Sequence, residues 1–136
     1  VGETNLYRTV PRGEILLVPR SREGLSRLLD VVVATRNRAA IETSVLGESI
    51  AFELAPAARL VDGLDEARGV AGVLVEGDRA QVAEIARVVA SWLGPIVPVQ
   101  GVDAINRDML VHEVAVSINT AAAGGNASLM AMGETG

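Results

Sequence analysis

The chain has 136 residues, enough for one domain with a single core, and 49% of them are apolar but only 2% aromatic. It contains no cysteine and one histidine, which excludes disulfides, thiolate catalysis and Cys-ligated metals and leaves zinc without its usual ligands. The net charge is −5 and the twelve arginines are scattered, so nucleic-acid binding, which needs a clustered basic face, is not expected.

The first half of the chain predicts a β-α-β unit. Residues 2–13 are polar and irregular, which indicates an extended linker from an upstream module. A short apolar run predicts a buried strand at 14–18. From Ser21, a candidate N-cap, apolar residues recur at helical spacing and predict a helix, and a second strand follows at 38–41. Such a crossover is right-handed in nearly all folds.

The second half continues the alternation of strands and helices. Asp78 and Gln81 have the spacing of a capping box, which predicts a helix that begins there and ends at Gly94. The other predicted elements are helices at 46–54, 64–68 and 106–110, and strands at 58–61, 72–75, 95–99 and 113–118. This alternation is typical of an α/β domain with a mainly parallel sheet flanked by helices.

The turn after the first strand does not favour a dinucleotide. It reads PRSREG from Pro19 to Gly24, with one glycine where the dinucleotide fingerprint has three. Such a turn lacks the residues that allow a pyrophosphate to approach the backbone closely. Glu76 and Asp78 are interpreted as solvated carboxylates at a helix N-terminus, where the helix dipole favours negative charge.

No catalytic constellation is predicted either. Ser128 is a conceivable nucleophile, but a serine needs a base within hydrogen-bond reach, and the one histidine, His112, is interpreted as a surface residue. The carboxylates Asp62, Asp65 and Glu66 are interpreted, like Glu76, as a solvated helix start.

The last eighteen residues, from Asn119 to Gly136, differ from everything before them. They contain no proline, lysine or arginine and one acidic residue, whereas disordered tails are usually charged or proline-rich. We therefore expect this segment to lie against another surface. Gly124 and Gly125 permit close backbone contact with that surface, and the alternative for these two residues is an ordinary turn.

Three stretches of the sequence resemble one family. SINTAAAGGNASLM at 117–130 resembles the C-terminal motif of bifunctional proline utilisation A proteins. GETNLY at 2–7 and PRG at 11–13 resemble the entry to the C-terminal domain of those proteins, and VATRNRA at 33–39 resembles its first helix-to-strand turn.

The resemblance implies a function for the protein of which this chain would be a part. Proteins of this family fuse an FAD-dependent proline dehydrogenase to an NAD-dependent glutamate-semialdehyde dehydrogenase. Together the two enzymes convert proline to glutamate, and the intermediate pyrroline-5-carboxylate passes between them through an internal tunnel. Longer members add a noncatalytic, Rossmann-like C-terminal domain similar to the aldehyde dehydrogenase superfamily. FAD and NAD would then belong to the parent enzyme, in the cytoplasm, and this chain would bind no cofactor and no metal. Homo-oligomerisation and peripheral attachment of the parent to the membrane are left open.

The same resemblance divides the chain into a linker (1–12), a Rossmann-like noncatalytic domain (13–118) and a docking motif (119–136). The docking partner would be the aldehyde dehydrogenase module of the same polypeptide. The residues expected at this contact are Asn119, Thr120, Gly124, Gly125, Asn126, Ser128, Leu129 and Met130.

One departure from the superfamily supports an inactive copy. Aldehyde dehydrogenases end the second strand of this unit in a lysine-containing motif that grips the NAD ribose and phosphates, whereas this chain has Glu42-Thr43-Ser44. A carboxylate at the lysine position would repel phosphate. The alternative hypothesis is an independent NAD-binding module or a degenerate aldehyde dehydrogenase fragment.

Overall fold

A computed structural model of the chain describes residues 3–119. This part of the chain divides into two units, one formed by Pro11–Val111 and the other by residues 3–10 with 112–119. In chain order the strands are β1 (Glu3–Pro11), β2 (Glu14–Val18), β3 (Arg38–Glu42), β4 (Arg59–Val61), β5 (Gly72–Val75), β6 (Val99–Gly101) and β7 (Val111–Asn119). The helices are α1 (Arg22–Ala34), α2 (Glu48–Leu54) and α3 (Arg79–Ala90), with short 3-10 helices at Leu64–Ala67 and Arg107–Leu110.

The larger unit is a Rossmann-like α/β domain, as predicted. Its five strands lie in the order β4-β3-β2-β5-β6, and every neighbouring pair is parallel. The chain thus moves from β2 outward to β4, then returns across the sheet to β5 and β6. That return places a topological switch point between β2 and β5.

The two longest helices begin where the sequence predicts. The hydroxyl of Ser21 accepts a hydrogen bond from the backbone N–H of Gly24 and caps α1. Asp78 and Gln81 form the reciprocal capping box of α3. Within residues 3–119, no helix is both long and apolar enough to cross a membrane.

The core lies on both faces of the parallel sheet. Successive side chains of a strand point to opposite faces, so Ile15 and Leu17 pack in the cluster that contains α1 residues, while Leu16 and Val18 pack in the cluster that contains Val89 of α3. All four of these β2 side chains are buried. A central strand buried on both faces is what a parallel sheet with helices on each side requires.

The turn between α1 and β3 is held by one side chain. The Asn37 carbonyl oxygen accepts from the backbone N–H of Gly13 at 2.8 Å. Its amide nitrogen donates to the Thr35 hydroxyl and to the carbonyl oxygen of Leu110, each at 2.9 Å. The predicted helix-to-strand turn is therefore confirmed, and Asn37 ties it to the start of β2 and to the segment that precedes β7.

Two predicted elements differ from the structure by several residues, whereas the bounds of the others differ by two residues at most. α3 ends at Ala90, not at Gly94, and the hydroxyl of the following Ser91 donates to the carbonyl oxygen of Val88. The strand predicted at 95–99 is displaced to Val99–Gly101. Proline cannot donate to a sheet ladder, so Pro98 contributes only its carbonyl oxygen, which accepts from the backbone N–H of Val73 on β5, and the paired strand begins at Val99.

The smaller unit is formed by the two ends of the described part of the chain. The sequence predicts an extended linker at 2–13 and a strand at 113–118; Glu3–Pro11 and Val111–Asn119 are both strands, and they pair in a two-stranded sheet, which we call the ribbon. Local pattern predicts that a segment is extended, but not which strand it pairs with, since that pairing joins residues about a hundred positions apart.

Candidate functional site at the carboxyl edge of the parallel sheet

The carboxyl edge of the sheet is where an open α/β fold binds ligands. The crevice lies at the switch point, beside the carboxyl ends of β2 and β5. In nucleotide-binding members of this architecture the N-terminus of the first helix faces a phosphate there, because its free N–H groups and dipole favour an anion. The residues that follow β2 and β5 therefore decide what this edge can bind.

Glu76, immediately after β5, is turned toward the N-terminus of α1. Its Oε1 accepts from the backbone N–H of Arg20 at 2.6 Å and from that of Ser21 at 2.8 Å. Its Oε2 accepts from the Ser21 hydroxyl at 2.7 Å. Three donors from the turn after β2 thus converge on one carboxylate, with the short lengths of charge-assisted hydrogen bonds.

This environment favours the ionised form of Glu76. Partial burial by itself raises the pKa of the carboxyl group. The hydrogen bonds from the Ser21 hydroxyl and from the Arg20 and Ser21 amides, together with the charge of Arg20, outweigh it and hold the pKa of Glu76 below its usual value. The side chain is therefore an anion at neutral pH.

A second carboxylate lies at the end of the neighbouring strand. Glu42, the last residue of β3, is buried, and its two oxygens accept from the backbone N–H and the hydroxyl of Ser44. The hydroxyl of the next residue, Thr43, donates to the carbonyl oxygen of Val61, the last residue of the neighbouring strand β4. Glu42 thus lies at the carboxyl edge, and both of its oxygens accept hydrogen bonds from the nearby Ser44.

The two serine hydroxyls described at this edge, those of Ser21 and Ser44, are hydrogen-bonded to Glu76 and Glu42 and not to a histidine. His112 is exposed, as predicted, and lies in the ribbon. Ser128 lies outside the described residues. Among residues 3–119 no group of three or more His, Cys, Asp or Glu side chains is placed to hold a metal ion. The described residues of the carboxyl edge thus present two carboxylates whose oxygens accept hydrogen bonds from the chain itself.

A separate shallow cavity of about 430 Å³ lies beside α1. It is lined by Arg27, Asp30, Val31, Val102, Asp103, Ile105 and Arg107. Arg27 and Asp103 form an ion pair across it at 3.4 Å, and both side chains are more than half exposed. With two charges of each sign on its wall, the cavity does not favour either sign of ligand.

The predicted docking residues fall almost wholly beyond the described part of the chain. Asn119 is the last residue of β7. The other seven lie outside the described residues: Thr120, Gly124, Gly125, Asn126, Ser128, Leu129 and Met130. The docking contact remains a prediction.

Sequence reasoning missed Glu76. Its interpretation as a solvated helix-start carboxylate is correct for Asp78, which caps α3, and wrong for Glu76, which bonds to the turn after β2. A signal did exist: a glutamate directly follows a fully apolar run, GVLV, while the turn after the first strand carries arginine and serine in place of glycines. Using it requires knowing that β5 lies beside β2.

Comparison with known proteins places almost the whole chain within a much longer type of protein. It is 41% identical over 147 aligned positions to the bifunctional protein PutA of Rhizobium meliloti, a match that covers 98% of this chain and 12% of that protein. The PutA proteins of Salmonella typhimurium and Escherichia coli are 32% and 30% identical, covering 97% of this chain and 11% of each relative. No model of a known protein family matches the chain.

Proposed function

Because this chain is a PutA-like domain, we propose that it is the noncatalytic C-terminal domain of a bifunctional proline-catabolic enzyme. We call the longer polypeptide that would carry it the parent. In this proposal the parent converts proline to glutamate in the cytoplasm and uses FAD and NAD bound by its other modules. The segment from Asn119 onward docks on the aldehyde dehydrogenase module and helps to close the tunnel for pyrroline-5-carboxylate.

The observation that carries this proposal is the extent of the matches. They cover 97–98% of the chain, so the relatives contain a counterpart to nearly all of it, while the chain spans only 11–12% of their length. A segment of this size within a two-activity protein needs no active site of its own. The carboxyl edge agrees with such a role, since the acidic side chains of Glu76 and Glu42 lie where a nucleotide would need cationic or amide partners.

The ribbon adds a physical reason for docking. Two strands of nine residues each pair only with one another in the described part of the chain. A two-stranded sheet is marginally stable in water unless another surface covers it. Leu6 and Tyr7 of β1 are 49% and 66% exposed, and burying such side chains would stabilise a complex. β7 ends at Asn119, so the ribbon leads directly into the proposed docking segment.

The chemistry of the segment suits a close, dry contact. Gly124 and Gly125 have no side chain to hold two backbones apart. Asn119, Thr120, Asn126 and Ser128 carry hydrogen-bonding groups, and Leu129 and Met130 supply apolar side chains able to fill holes on a partner.

A deletion in the parent tests the proposal. Removing residues 120–136 leaves β7 and the whole α/β unit in place. We expect a longer lag and a lower rate of coupled proline-to-glutamate conversion, with proline dehydrogenation itself unchanged. Gly125→Val should reproduce the defect, whereas Gly63→Val makes the same change at an open site of the α/β unit, outside the docking segment, and should not. Unchanged coupled flux in the deletion would refute the proposal.

A further inference from the structure

The anion-binding position of this Rossmann-like fold is filled by the chain itself. Rossmann-like folds place the pyrophosphate of a dinucleotide at the N-terminus of the first helix, next to the turn after the first strand. Here the Glu76 carboxylate meets that turn, and the backbone N–H groups of Arg20 and Ser21 donate to it at 2.6 and 2.8 Å. These amides are the groups that would otherwise be available to a phosphate oxygen.

Gly24 shows how closely the carboxylate approaches the helix. A Cβ atom added at Gly24 would lie 2.0 Å from both Cδ and Oε1 of Glu76, far inside contact distance. The one glycine of the PRSREG segment thus leaves room for an anion against the first turn of α1. A pyrophosphate-binding glycine has the same use, but here the anion belongs to a side chain.

We infer that Glu76 is an internal substitute for the cofactor pyrophosphate, and that this carboxylate closes the switch-point crevice to dinucleotides and other polyphosphates. The inference does not depend on the docking proposal, because its residues all belong to the α/β unit and none to the proposed docking segment. It rests on the position of Glu76 at the switch point, on its three donors and on the space that Gly24 leaves for it.

Two consequences follow from the hydrogen bonds. With Glu76 in place, an incoming phosphate finds the Arg20 and Ser21 amides engaged and meets a negative charge. With Glu76 truncated, both amides and the Ser21 hydroxyl lose their acceptor, beside the positive charge of Arg20. Such a cluster of N–H groups at a helix N-terminus attracts anions. Glu42, whose oxygens are engaged by Ser44, stays on the neighbouring strand and limits how tightly a polyphosphate can bind.

The test measures anion binding by the 136-residue chain. Melting temperatures are recorded with and without inorganic pyrophosphate, and NAD is titrated calorimetrically. We expect no response to either from the unmodified chain. Glu76→Ala should gain a rise in Tm of about 4 °C at a pyrophosphate concentration tenfold above Kd. Glu84→Ala, which removes an exposed carboxylate from α3, is the matched control and should not respond.

Each other result decides against the inference. Micromolar NAD binding by the unmodified chain would show that the crevice is open. A folded Glu76→Ala chain without any response to pyrophosphate would show that Glu76 is not what closes it. An equal gain in Glu84→Ala would assign the effect to net charge alone. Should Glu76→Ala fail to fold, Glu76→Ser removes the carboxylate and is too short to replace it at the Arg20 and Ser21 amides, and gain or absence of pyrophosphate binding in that variant decides in the same way.

Discussion

Ser21 and Glu76, 55 residues apart in sequence, are joined by two hydrogen bonds, one from the Ser21 backbone N–H at 2.8 Å and one from its hydroxyl at 2.7 Å. The same hydroxyl accepts from the backbone N–H of Gly24 at 3.0 Å. One side chain therefore caps α1 and fastens the start of that helix to the end of β5. This contact links two crossovers of the fold at its switch point.

Ser21→Ala should destabilise the chain. The substitution removes the N-cap, worth about 1 kcal/mol, and leaves Glu76 with one donor fewer, so we expect a loss of about 1–3 kcal/mol in the free energy of unfolding. Urea denaturation measures it. Ser26→Ala changes the same residue type at an exposed site of the same helix and should have little effect or a slightly stabilising one. Equal losses in both variants would contradict the role given to Ser21.

The effect of Gly24→Ala on the free energy of unfolding should change sign when the residue at position 76 is changed. In the unmodified chain the new methyl group collides with the Glu76 carboxylate, and displacing that carboxylate should cost about 1–3 kcal/mol. In a Glu76→Ala background the collision is gone, and alanine should instead stabilise α1 by up to about 1 kcal/mol.

A double-mutant cycle by urea denaturation measures this coupling. Gly63→Ala is the control, since a Cβ atom there meets nothing within 4 Å and its φ of −177° suits any residue. The prediction fails if Gly24→Ala has the same effect in both backgrounds.

The free energy of unfolding should fall in acid, partly because protonation of Glu14 weakens its ion pair with Arg59. The Arg59 guanidinium donates to both oxygens of Glu14, with the shortest contact at 2.7 Å, and this hydrogen bonding holds the pKa of Glu14 below its usual value. A lowered folded-state pKa adds stability above the unfolded-state pKa, and that stability is lost as the pH falls through the folded-state value.

Glu14→Gln should therefore lower the free energy of unfolding at pH 7, and the difference from the unmodified chain should shrink below about pH 4. The effect should be modest, about 1 kcal/mol or less, because Arg59 is 45% exposed. Asp65→Asn disrupts a more exposed pair with Arg68, at 3.4 Å, and should show almost no pH-dependent difference. A constant difference for Glu14→Gln from pH 7 to pH 3 would contradict the assignment.

Asn37→Ala should be among the more damaging polar substitutions in this unit. It removes three hydrogen bonds at once and leaves the backbone N–H of Gly13 and the carbonyl oxygen of Leu110 without the Asn37 side chain, so we expect a loss of about 2–3 kcal/mol. Thermal and urea unfolding measure it. The adjacent Arg36→Ala keeps the backbone conformation, with φ of 61°, and should change stability by less than about 0.5 kcal/mol. A loss below 1 kcal/mol for Asn37→Ala would refute the prediction.

The sequence predicted the α/β body well because its signals are local. β2 and β5 are short apolar runs between turn residues, and Ser21 and Asp78 are capping residues whose partners lie three positions away. Such features depend on neighbours in the chain, so they can be recognised without knowing the topology. Prolines 95 and 98 displaced β6 by restricting which residues can donate to the sheet.

Non-local relationships could not be predicted in the same way. The pairing of β1 with β7 joins residues 3–11 to residues 111–119, and each strand alone shows only that it is extended. Glu76 is similar: its sequence neighbourhood resembles that of any carboxylate before a helix, and its partners Arg20 and Ser21 become visible only once β5 lies beside β2. Predicting this site therefore requires the order of the strands in the sheet as well as the sequence.

Binding in trans tests the docking proposal most directly. The parent polypeptide truncated before Val1 is titrated calorimetrically with the 136-residue chain and, separately, with the same chain ending at Asn119. We expect a one-to-one complex with the complete chain and a loss of at least tenfold in affinity with the shortened one, because residues 120–136 would supply the contact. Equal affinities, or no complex with either chain, would contradict the proposal that this segment docks on the parent.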